Sequence, residues 1–321
     1  MEAVYPANPE LRTEWILTQR TPRVDLDQNR PYEFLVEEER AANGEVVPVA
    51  TIFLTNRECP WRCVMCDLWK NTLREPVVPG AIPRQIEYAL ERLPAARQIK
   101  LYNSGSFFDE QAIPREDYGE IARLAAGFER TIVECHPALV GTRCLEFCDL
   151  LGHPLEVAMG LETAHPEVLE RLNKRMTLDQ FARAAEFLRS NGIDLRVFVL
   201  VQPPFMPPEE ALHWAMRSLD FAFDCGATAV SLIPTRSGNG AMEALRRVGE
   251  FTPPSLATLE DAVAHGVRLK RGLVFADLWD LRRATPVCHH CYPERIARLH
   301  AMNLGQQLLD AVDCKSCEGK S

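Results

Sequence analysis

Val47-Pro48-Val49-Ala50-Thr51-Ile52-Phe53-Leu54-Thr55 runs directly into Asn56-Arg57-Glu58-Cys59-Pro60-Trp61-Arg62-Cys63-Val64-Met65-Cys66-Asp67. The first nine residues are rich in β-branched side chains and read as a strand. The rest is a loop carrying three cysteines spaced C-x3-C-x2-C. Soft thiolates select zinc or an iron–sulfur cluster. Three of them on one short loop can hold three irons of a 4Fe–4S cube. The fourth iron then lacks a protein ligand, so it is open to bind a small molecule and pass it an electron.

Outward from this stretch the chain alternates. Strand-like runs fall near 48–56, 98–103, 130–135, 154–160, 194–201 and 228–233, with helical patterns near 83–93, 115–126, 140–151, 177–191 and 208–225 between them. Six strands alternating with helices predict an α/β fold with a parallel sheet and helices outside it. Right-handed crossovers curl such a sheet into a partial (βα)6 TIM-like barrel. Reactive groups in these folds sit at the carboxyl ends of the strands, and the cysteine loop follows the first strand there.

Three segments are expected. Residues 1–46, rich in charge, Pro and Asn, read as an irregular N-terminal extension with one apolar stretch at Tyr32–Val36. Residues 47–236 form the barrel core. Residues 237–321 form a C-terminal extension, with a helix near 255–266, a further strand near 272–278 and a cysteine-rich metal-binding segment.

The chain has 321 residues, 46% hydrophobic, ample for a large core. It shows no apolar run of membrane-spanning length and no charged-then-apolar leader, so a cytoplasmic protein is expected without a membrane partner. The formal net charge is -9, with no basic arm or stripe. Free-standing proteins that grip nucleic acid draw most of their affinity from Lys and Arg on phosphate. The balance therefore disfavours nucleic acid as a partner, while leaving room for a local patch. The 11 cysteines are an odd number, a poor match for a disulfide framework.

C-x3-C-x2-C after the first strand of a βα series resembles the radical S-adenosylmethionine superfamily. Tyr102-Asn103-Ser104-Gly105-Ser106-Phe107-Phe108-Asp109 follows the second strand, where that family keeps a motif for the methionine amino group. Gly160-Leu161-Glu162-Thr163 and Leu169-Glu170-Arg171-Leu172-Asn173-Lys174 resemble the branch of the elongator catalytic subunit and the tRNA methylthiotransferases. Ser104–Asp109, Glu134 with Pro137, and Pro203-Pro204-Phe205 are similar to the archaeosine-biosynthesis members. The branch often has Gly where Arg175 stands, and no RNA-binding module of the methylthiotransferase kind is evident.

The resemblance implies an enzyme that is oxygen-sensitive and cleaves S-adenosylmethionine reductively at a 4Fe–4S cluster. The 5′-deoxyadenosyl radical would then take hydrogen from an unidentified substrate, a small molecule or a modified nucleoside. It implies Cys59, Cys63 and Cys66 as cluster ligands. Met65 would lie against the adenine. Ser104 and Gly105 would offer backbone carbonyls to the amino group, Asn103 beside them would also bind the cofactor, and Lys174 would bind the carboxylate. Glu134 is a candidate for both cofactor binding and catalysis, and Glu162 for catalysis. A small ferredoxin- or flavodoxin-like protein would donate the electron.

Cys288-x2-Cys291 and Cys314-x2-Cys317 form a second set, 22 residues apart. Four thiolates suit structural zinc and equally an auxiliary 4Fe–4S cluster, and the spacing leaves both open. Two readings of another class stand beside the enzyme: an electron-transfer iron–sulfur protein without a substrate of its own, and a zinc-stabilised RNA- or protein-binding module. For His136, packing is favoured over proton donation. Cys144 and Cys148, four apart on a helical pattern, read as core.

Overall fold

The β-branched runs come together in one eight-stranded sheet with strands in chain order, and in this computed structural model residues 5–286 and 288–317 are described. The strands are β1 (Glu33–Arg40), β2 (Val46–Phe53), β3 (Gln98–Tyr102), β4 (Arg130–Cys135), β5 (Leu155–Glu162), β6 (Asp194–Val201), β7 (Ala229–Pro234) and β8 (Leu273–Ala276). β1 pairs antiparallel with β2, and every later pair is parallel. The sheet curls into a half-barrel, the partial TIM-like barrel expected.

The helices are α1 (Pro9–Thr18), α2 (Ala81–Leu90), α3 (Tyr118–Ala125), α4 (Thr142–Leu151), α5 (Pro166–Arg171), α6 (Leu178–Ser190), α7 (Ala211–Asp224), α8 (Ala241–Arg247), α9 (Leu256–Leu269), α10 (Leu281–Ala284) and α11 (Tyr292–Gly305). Local chemistry sets several boundaries. Thr177 and Gln180 form a capping box at the start of α6. The Ser255 side chain accepts from the Thr258 amide to open α9.

Alternation along each strand divides the sheet into two chemistries. Ile99, Leu101, Val133, Leu155, Val157, Val197, Val199, Val230 and Val274 pack with the helices in one continuous apolar core. The residues between them face the barrel interior and are polar or aromatic. Lys100 on β3 reaches Glu37 (3.1 Å) and Glu39 (2.5 Å) on β1. Arg196 on β6 reaches Glu39 (2.7 Å) and Glu156 on β5 (2.5 Å), and Arg130 on β4 bridges Glu156 and Asp194. This closed set of charges lies toward the amino ends of the parallel strands. An aromatic layer follows: Tyr102 packs edge-on against both Phe53 (6.2 Å) and Phe198 (6.2 Å), and Trp279 against Phe53 (5.9 Å).

The N-terminal segment is not irregular. It supplies α1 and the edge strand β1, because Glu37 and Glu39 find cations across the barrel that no local pattern reveals. β8 falls within the expected run near 272–278, and α11 packs along it. Asn303 bonds both the amide and the carbonyl of Ala276, and Gln306 does the same for Val274, all at 2.8–2.9 Å. Arg40 of β1 donates to the Leu304 carbonyl, so α11 bridges the two end strands of the sheet.

Candidate active site

The cysteine loop leaves β2 over the carboxyl ends of the strands and is tied down at both ends. The Leu73 amide donates to Asn56 and the Glu58 amide to Leu73, closing the loop base. The Glu58 carboxylate gathers Arg20, Arg23 and Arg62. Three further residues hold the middle. The Val64 amide donates to the Leu172 carbonyl (3.0 Å), and Asn173 donates to the Arg62 carbonyl (2.7 Å). Asn239, buried ahead of α8, donates to the carbonyls of Val64 (2.8 Å) and Cys66 (3.0 Å) while accepting from the Met242 amide. Burial pushes the thiols of Cys59, Cys63 and Cys66 up to about 12. Thiols placed so ionise when a cation compensates them, as metal ligation does.

Glu134, near the end of β4, faces the loop after β3. Its Oε1 accepts from the Asn103 amide (2.5 Å) and the Gly105 amide (3.4 Å). Burial outweighs those amides and raises the carboxyl to about 7. Gly105 lies where the chain passes closest to the cysteine loop. A Cβ there would stand 3.3 Å from Cβ of Cys59, so only hydrogen fits without displacement. The Tyr32 hydroxyl meets Ser104 Oγ at 2.9 Å, which brings the N-terminal segment to the same motif.

Lys174 and Glu162 form a buried ion pair at 2.5 Å. Burial draws the ammonium down, but Glu162 and then Cys63 outweigh it and the net shift is upward. Gly160 makes room for the pair, since a Cβ on it would run into both charged ends. His136 stacks on Trp61 (3.6 Å, 9° between planes). Its Nδ1 accepts from the Ala138 amide and its Nε2 faces the Lys174 carbonyl at 3.0 Å, so the ring is neutral with the proton on Nε2. Burial, reinforced by Lys174, lowers it to about 3. His136 is thus a packed spacer, as the sequence favoured.

The strand ends carry left-handed backbone at residues other than glycine: Ser104 (φ 55°) after β3, Glu162 (φ 67°) at the end of β5 and Gln202 (φ 55°) after β6. Such conformations gather where a site is built. Asn103 Oδ1 and Gln202 Nε2 are buried at these ends without a hydrogen-bond partner among the described residues. Buried amides of that kind fit a polar ligand lying across the strand ends. Three thiols, a buried cation, orphaned amides and a close-approach glycine fit a cluster carrying an amino acid–nucleoside cofactor.

The Radical SAM superfamily model matches residues 53–215. This chain belongs to the radical SAM superfamily. It is therefore an enzyme of a family that uses S-adenosylmethionine and a 4Fe–4S cluster. It is 28% identical over 228 residues to archaeosine synthase subunit beta of Methanosarcina acetivorans, covering 67% of this chain and 65% of the relative. The same subunit of Thermococcus kodakarensis is 26% identical over 204 residues, 60% of this chain and 63% of the relative. The chain thus spans about two thirds of these relatives' length. The archaeal Elp3 of Methanocaldococcus infernus, with its N-terminus deleted, superposes with a TM-score of 0.49 at 15% identity, over 63% of this chain and 55% of that one.

The radical SAM core thus brings Asn103, Gly105 and Glu134 into one hydrogen-bonded group, and Glu162 and Lys174 into another. Met65 packs on a smaller apolar cluster shared with Val64, Leu172, Met206 and Met242. Cys288, Cys291, Cys314 and Cys317 lie apart, with all four Sγ atoms within 4.8 Å of one another, a set able to hold a metal ion. Sequence reasoning missed Asn56, Gln202, Asn239 and Tyr32. Asn239 sits in Ser237-Gly238-Asn239-Gly240, which announces a loop but not its target. No helix among the described residues is long and apolar enough to cross a membrane.

Proposed function

We propose that Cys59, Cys63 and Cys66 hold a 4Fe–4S cluster whose open iron receives S-adenosylmethionine, and that the enzyme uses it to remove hydrogen from an organic substrate. The observation that carries this reading is the buried Lys174–Glu162 pair beside the cysteine loop, together with the Glu134-bonded turn at Asn103–Gly105. The cluster and its cofactor, when bound, supply one-electron cleavage of a sulfonium carbon–sulfur bond. The chain supplies the rest. Glu134 fixes the turn at residues 103–105 so that Ser104 and Gly105 can meet the methionine amino group. Lys174 presents a fixed cation to the methionine carboxylate, with Glu162 holding it in place. Met65 offers an apolar surface to the adenine. The charged floor and the aromatic layer keep bulk water away from the reacting carbon.

The substrate enters over Phe53, Tyr102 and Phe198, a surface suited to a planar ring. The likeness to archaeosine synthase subunit beta favours a modified nucleoside, with a small planar molecule as the other candidate. At a net charge of -9, a long RNA would need a basic partner to stay bound. Arg175 and Arg183 line a cavity of about 330 Å³, and their charge suits an acidic ferredoxin- or flavodoxin-like donor docking against that face. That cavity shares His136 with the Trp61 stack.

The test is anaerobic incubation of iron-loaded full chain with S-adenosylmethionine and a strong reductant. Wild type should accumulate 5′-deoxyadenosine, and Cys63→Ala should make none while keeping its circular dichroism. No 5′-deoxyadenosine from wild type with a full iron complement would end the proposal.

A further inference from the structure

The second cysteine set lies outside the radical machinery, and its dimensions separate the two metal centres that its spacing allows. Sγ of Cys288 stands 4.0 Å from that of Cys314, and Sγ of Cys291 stands 3.7 Å from that of Cys317. All four lie within 4.8 Å of one another. With Zn–S near 2.3 Å, the edge of a tetrahedral four-thiolate site is about 3.8 Å. A 4Fe–4S cube puts each thiolate on a different iron, outside the cube, so neighbouring Sγ atoms stand roughly 6 Å apart. These separations match one ion at the centre and are too short for a cube.

We propose that Cys288, Cys291, Cys314 and Cys317 bind a single zinc ion whose task is to lock α11 across the seam of the half-barrel. Zinc stands above ferrous iron in thiolate affinity, and the tetrahedron asks for no redox change. As the ion binds, the four thiols release four protons to solvent, leaving a site of net charge -2. Arg295, held by Glu260 of α9, reaches Cys291 and offsets part of that charge.

The lock follows from what lies between the two cysteine pairs. Cys291 immediately precedes α11. At the far end, Asn303 and Gln306 bond β8 and the Leu304 carbonyl takes Arg40 of β1. The chain then reverses at Gln306 in left-handed backbone. Arg298 grips the carbonyls of Leu309 and Asp310, which directs residues 314–317 back to the start of the helix. One ion thus closes a 22-residue loop around a helix that touches both end strands. Holding that loop shut spares the helix its closure entropy.

The full chain, purified anaerobically and iron-loaded, is assayed for iron, sulfide and zinc. One zinc with about four irons is expected, the four from a single cube. About eight irons without zinc would overturn the proposal, as would a single additional iron in place of zinc. The double variant Cys314→Ser/Cys317→Ser, altered in the half-exposed tail, should lose zinc and keep iron. Its amide exchange over 292–306 and 273–276 should rise on the order of tenfold. Loss of zinc without faster exchange there would refute the lock. Protein loaded with cobalt gives an independent readout, the visible bands of a tetrahedral thiolate site, and their absence counts against the geometry. None of these results depends on whether S-adenosylmethionine is cleaved.

Discussion

Lys174→Met tests whether the buried pair holds both the fold and the cofactor site. Lys174 Nζ lies 2.5 Å from Glu162 Oε1, and the two side chains are 8% and 10% exposed. At an effective dielectric near 20 the Coulomb attraction at that distance is about 7 kcal/mol before desolvation is set against it. Methionine keeps the length of the stem and strands the carboxylate, for which the net cost is about 3–5 kcal/mol. Unfolding entropy near 2.1 cal/mol/K per residue, over 321 residues, converts this to a fall in Tm of about 4–8 °C. Lys174→Met/Glu162→Gln removes both charges and should recover stability to within about 1 kcal/mol of wild type. Neither variant should bind S-adenosylmethionine with wild-type affinity, because the cation is gone in both. Anaerobic calorimetry reads stability, and titration with the cofactor reads binding. A single variant that melts within a degree of wild type, or a double variant as unstable as the single one, would refute the reasoning.

Glu134→Gln should change how stability varies with pH. The native carboxyl is raised to about 7, so in the window from 4.5 to 7 the folded chain keeps a proton that the unfolded chain has lost. The contribution is fully present below 4.5 and disappears as pH rises through 7. Relative to the glutamine variant, wild type should lose about 2 kcal/mol over that window, allowing for the partial exposure of the carboxyl, as denaturant titrations across pH would show. Asn239→Ala removes three hydrogen bonds around the cysteine loop and should cost about 2–3 kcal/mol. Iron should also leave this variant faster under a chelator, with unchanged kinetics counting against a role for Asn239 in holding the loop.

The parallel strands were legible because their outer faces are mostly Val, Ile and Leu, and the helices because their apolar stripes recur at helical spacing. β1 was not, since Glu-Phe-Leu-Val-Glu-Glu-Glu-Arg carries too much charge for a strand read alone. Its glutamates become acceptable only once Lys100 and Arg196 arrive from strands more than sixty residues away. Cys59, Cys63 and Cys66 announced themselves by spacing, whereas Asn239 and Gln202 act through a fold that has to exist first. Lys174 and Glu162 were both singled out, but nothing in the order of residues told that they would meet or that Gly160 would make room. The four C-terminal cysteines were equally visible, and what separated two metal centres was the distance between their sulfurs.

The amide pairs that Asn303 and Gln306 make along β8 have a consequence for solubility. A bare parallel edge offers a ladder to any passing strand, and proteins guard such edges against aggregation. Here two side chains occupy the main-chain groups of Val274 and Ala276 as a ninth strand would, without bringing a further edge of their own. Shortening the chain ahead of residue 303 should therefore show first as self-association and loss from the soluble fraction, before any change at the carboxyl ends of the strands.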